Sequence, residues 1–122
     1  MKITSFNPII MSEDAGDIIA LFEELGFEQR HHKVDIACSD ITSVRMRNEG
    51  GFHLDVVDVP MPQAMTAIRM NVDDFDEAYV FLKERGFVNA QGDRIIDTGS
   101  SRSALMVSPY GFAISLCQHI KK

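Results

Sequence analysis

The sequence has no tryptophan, two cysteines and four prolines in 122 residues. The cysteines, Cys38 and Cys117, stand too far apart for a metal motif or a redox pair. A disulfide scaffold is therefore excluded, and an apolar core must hold the chain. Apolar runs stay well short of the roughly 20 residues that span a bilayer. The N-terminal region has one lysine and a short apolar run that contains Pro8 and soon meets Glu13 and Asp14. That is not the layout of a signal peptide, so a reduced, cytoplasmic setting is expected. Basic residues are scarce, with 12 Lys and Arg against 18 Asp and Glu, a net charge of −6. Such a balance argues against nucleic acid, whose phosphates want a basic face. Acidity permits a cationic ligand, but it also keeps ordinary soluble proteins apart.

What is present is a globular composition, 45% apolar, and a repeat. Gly26-Phe27 recurs at Gly86-Phe87, Gly51-Phe52 at Gly111-Phe112, and Asp14 at Asp74, each sixty positions on. Two copies of one unit, about 1–60 and 61–122, fill the chain as a single domain. Pro60-Met61-Pro62-Gln63 falls between them as the one linker-like stretch.

Each copy reads as strand, helix, then three strands. Ile3 to Met11 and Met65 to Val72 are the opening strands. Ile18, Leu21, Phe22 and Leu25 recur at helical spacing, as do Phe75, Ala78, Tyr79 and Leu82. Asp14 precedes Asp17 by three, and Asp74 precedes Glu77 by three, which marks two helix starts. Gly26 and Gly86 sit where a left-handed backbone ends a helix. Strands follow near Glu28 to Val34, Ile41 to Arg47 and Phe52 to Val59. In the second copy they fall near Phe87 to Ala90, Ser103 to Val107 and Phe112 to His119. Asn48 to Gly51 and Ser108 to Gly111 are the hairpin turns. The expected class is α+β: two tandem βαβββ units pairing into a curled, mostly antiparallel mixed sheet around a central cavity.

Arg102 through Leu116, with its Ser-Pro-Tyr-Gly turn, and Asp14 through Phe27, with its Gly-Phe end, carry a family likeness. With the duplication they resemble the vicinal-oxygen-chelate superfamily, which includes glyoxalase I, extradiol dioxygenases and bleomycin-resistance proteins. The resemblance spans essentially the whole chain. It implies four metal-ligand positions on the first and last strands of each unit, commonly His and Glu. Here those positions hold Asn7, Asp55, Ala67 and Ser115. Asp55 alone is a good ligand for a divalent ion, so no metal and no cofactor are expected. Ser108 and Phe112 also replace the Asp and Asn usual in the closing turn. The resemblance further implies a homodimer. A metal-free small-molecule binder like the bleomycin-resistance group is the first reading, and a divalent-metal lyase or dioxygenase the second. A regulatory module with no ligand is the third.

Strand alternation separates helix-facing from inward side chains. Leu54, Val56, Ile68, Met70, Val72, Ile114 and Leu116 should face helices, and Met46 and Met106 also fit helix-facing core positions. That leaves Asn7, His53, Asp55, Arg69, Asn71 and Ser115 as the candidate ligand-binding set, a few polar groups on apolar walls. Arg69 either pairs with Asp55 or awaits an anionic ligand. His53 beside Asp55 has the makings of an acid–base couple. His31-His32 point to opposite faces of a strand and cannot share one ion.

Overall fold

The computed structural model describes residues 1–34 and 42–119. Cys38 and the Lys121-Lys122 tail lie outside the described residues. In chain order come β1 (Ile3–Ser12), α1 (Ala15–Glu24), β2 (Glu28–Val34), β3 (Thr42–Arg47), β4 (His53–Asp58), β5 (Met65–Val72), α2 (Phe75–Glu84), β6 (Val88–Asn89), β7 (Ile96–Asp97), β8 (Ser101–Val107) and β9 (Ala113–His119). The fold is α+β with mixed parallel and antiparallel pairing. By its contacts the chain divides into two units, Asn7–Thr66, and Met1–Phe6 with Ala67–Lys122.

In the Asn7–Thr66 unit the strand order is β2-β3-β4-β1. β1 runs parallel to β4, and β4–β3 and β3–β2 are antiparallel. α1 lies on one sheet face. Its Ala15 joins Val44, Met46, Leu54 and Val56 in a core, with Ile10, Ile18, Ile19, Phe22 and Phe27 packed against it. Leu21 and Leu25, expected in that face, are 51% and 62% exposed. The helix carries two overlapping apolar stripes, and the one running through Ala15, Ile18, Ile19 and Phe22 faces the sheet.

In the other unit the order is β5-β9-β8-β6, with β7 on β8. β5 runs parallel to β9, and the remaining pairs are antiparallel. This is the same strand–helix–three-strand plan, with β7 as an added strand that the sequence pattern did not signal. Phe75, Ala78 and Leu82 of α2 pack with Met70, Val72, Ala104, Met106, Ile114 and Leu116, and Tyr79 lies against them as expected. Arg102 covers the start of α2, 4.9 Å over the Phe75 ring and 3.0 Å from Asp76.

The duplicated turns use one device with different side chains. The Phe52 N–H donates to Asn48 Oδ1 at 2.9 Å, and the Phe112 N–H to Ser108 Oγ at 3.1 Å. Any short side-chain acceptor serves there, which is why Ser108 can replace the usual aspartate. The helix starts diverge. Asp74 accepts from the Glu77 N–H at 3.1 Å, whereas Asp14 makes no capping bond with its side chain. At the first helix Ser12 Oγ instead accepts from the Asp14 N–H at 3.0 Å.

Candidate functional site

In the Asn7–Thr66 unit, Val44, Met46, Leu54 and Val56 turn toward α1. Their alternates on β3 and β4 therefore share the opposite face, and so do Asn7 and Ile9 of β1. That face carries a carboxylate only 2% exposed, Asp55. Arg45 Nε donates to its Oδ1 at 3.1 Å, and Arg45 Nη2 stands 3.5 Å from Oδ2. Asn7 Nδ2 donates to Oδ2 at 2.9 Å and to the Pro8 carbonyl at 2.9 Å. A buried charge is tolerated when it is paired and hydrogen-bonded in this way.

Arg45 is the residue that reasoning from the sequence missed. The signal was there: Met46 belongs to the core, so Arg45 must face the other way. The Asn48 N–H donates to the Phe52 carbonyl, and counting outward from that pair sets Arg47 against His53 and Arg45 against Asp55. His53 is half-buried and makes no hydrogen bond to Asp55 among the described residues. Residues two apart on a strand share a face without touching, and the Asp55 oxygens are occupied by Arg45 and Asn7.

In the other unit Arg69, Asn71, Ser115 and Cys117 share the face away from α2. Arg69 and Asn71 stand on β5, directly opposite Ser115 and Cys117 of β9. Asn71 is 6% exposed, and its Oδ1 is buried with no hydrogen-bond partner among the described residues. Ser115 is half-buried, and Arg69 keeps its Nε out of solvent. Each unit thus presents three of the six candidate residues on the sheet face that its own helix leaves alone. His31 and His32 lie within β2, next to a register shift, and His119 is exposed at the end of β9.

No family model and no curated protein matches the sequence. Solved structures are. A methylmalonyl-CoA epimerase from Mycobacterium tuberculosis is 17% identical, with 98% of this chain and 90% of that chain covered and a TM-score of 0.65. A glyoxalase/bleomycin resistance protein/dioxygenase superfamily member from Vibrio splendidus is 16% identical, covering 96% and 99%, with a TM-score of 0.62. The chain has the vicinal-oxygen-chelate fold. A glyoxalase I mutant from Zea mays is 13% identical with a TM-score of 0.70, this chain covering 45% of its length.

Metal-dependent proteins of this fold hold an ion at four strand positions, and the donor set present here does not fit one. Ala67 offers no donor atom. Asn7 uses its amide N–H on Asp55, and Asp55 holds a guanidinium where a cation would have to approach. Among the described residues no three His, Cys, Asp or Glu side chains come together in a group able to hold a metal ion.

Proposed function

We propose that this chain is a small-molecule binding protein that holds its ligand without a metal ion, in the manner of the bleomycin-resistance group. The candidate contacts are the polar side chains that each unit presents on the face its own helix leaves alone: Asn7, His53 and Asp55, and separately Arg69, Asn71 and Ser115. The observation that carries the reading is the Asn71 carboxamide oxygen, buried and without a hydrogen-bond donor. Leaving such an acceptor unmatched costs about 1–3 kcal/mol. A ligand hydroxyl or N–H offsets that cost on binding, so the apo protein carries a deficit that the complex repairs. The Asp55–Arg45 pair supports the metal-free part, because it sets a fixed positive charge against the best anionic donor.

The test is a thermal-shift screen of small polar compounds against the native protein and Asn71→Leu. Compounds that raise the native midpoint and leave the variant unmoved are the expected result. Equal shifts in both proteins, or no stabilising compound, contradict the reading. The same reading takes the working unit to be a homodimer, for which the exposed Val88, Val107, Tyr110 and Phe112 supply apolar surface.

A further inference from the structure

The β2–β3–β4 sheet carries, on the face away from α1, an open groove of about 450 Å³ lined by Arg30, Arg45, Arg47, Asn48, Glu49 and His53. The chain is acidic overall, yet three of its 12 Lys and Arg line this one groove. Solubility does not call for such a cluster in an acidic protein.

Three local features build it. The first is a β-bulge: Gln29 opposes Met46 and His31 opposes Arg45, which leaves Arg30 as the extra residue. A bulge re-aims a side chain, and Arg30 lines this groove whereas Gln29 lines one beside α1. The second is the clamp on Arg45. Asp55, whose side chain is 3% exposed, engages its Nε and Nη2 from within, while the Arg45 side chain is 32% exposed. A guanidinium has five N–H donors, so the rest remain for the groove. The third is Arg47, exposed, set against His53, and in no ion pair among the described residues. Opposing these is Glu49. Arg30 stands 3.4 Å from Glu28, a pair with side chains 59% and 72% exposed and therefore weak.

We infer that this groove takes the anionic end of the ligand, a multiply charged oxyanion of the phosphate or carboxylate kind. Planar guanidinium forks grip such groups bidentately. The Asn48 NH₂ and a His53 N–H add further donors, the Asn48 oxygen being spent on the turn. The inference rests on the small-molecule reading above and names the chemical class of the ligand.

Isothermal titration calorimetry with pyrophosphate and with citrate tests it, on the native protein, Arg47→Gln and Arg30→Gln. Both substitutions are at exposed positions and spare the Arg45–Asp55 pair, so the variants fold. Saturable binding of at least one probe is expected, weakened about tenfold in each variant. Added salt weakens it further. Preference for pyrophosphate assigns a phosphate ligand, and preference for citrate a carboxylate. No saturable binding, or equal affinity in all three proteins, overturns the inference. A screening compound that needs Asn71 but neither arginine also overturns it, and leaves the small-molecule reading standing.

Discussion

A half-buried arginine and a buried asparagine make opposite predictions at the residue scale. Arg45→Met removes the charge-assisted bonds to Asp55 and is expected to cost about 2 kcal/mol. Urea denaturation checks this as a lower midpoint with unchanged slope. Asn71→Leu removes a buried acceptor that has no donor and is expected to stabilise the apo protein by about 1 kcal/mol. It would thus gain stability while losing ligand, the trade that binding sites commonly show. A destabilised Asn71→Leu would mean that the amide already serves the fold. The candidate side chains were legible in the sequence through strand parity alone. Arg45 lies on a middle strand of the unit, beyond the opening and closing strands on which the family likeness directs attention to inward side chains.

The duplicated elements supply matched controls at their own scale. Asp74 caps α2 and Asp14 does not cap α1. Asp74→Ala should therefore cost about 1 kcal/mol, and Asp14→Ala much less, by thermal denaturation of the two variants side by side. The glycines after the helices form a second pair. Gly26 and Gly86 have φ of 99° and 92°, so alanine at either costs about 1 kcal/mol in backbone strain. A Cβ at Gly86 would also stand 3.2 Å from Pro109 Cγ, whereas one at Gly26 meets open space. Gly86→Ala should be the worse variant. Helix, turn and strand positions were readable from periodicity and glycine placement. The facing stripe of α1 was not, because Ile18, Leu21, Phe22 and Leu25 fit a helical period as well as the stripe that packs. β7 is only two residues long, too short for any periodic signal.

For the whole molecule, the sixty-residue repeat implied two copies of one plan, and the strand orders β2-β3-β4-β1 and β5-β9-β8-β6 agree with it. Among the described residues no helix is long and apolar enough to cross a membrane. Sedimentation velocity is expected to return twice the chain mass, the result for the proposed homodimer. The metal-ligand positions of the fold's metal-dependent members are held here by Asn7, Asp55, Ala67 and Ser115, a set ill suited to a divalent ion. Purification without chelators, then titration with zinc, nickel, manganese and ferrous iron, tests this most directly. Less than stoichiometric metal by elemental analysis and no shift of the unfolding midpoint are predicted. One tightly held ion per chain, lost in Asp55→Asn, would contradict the account.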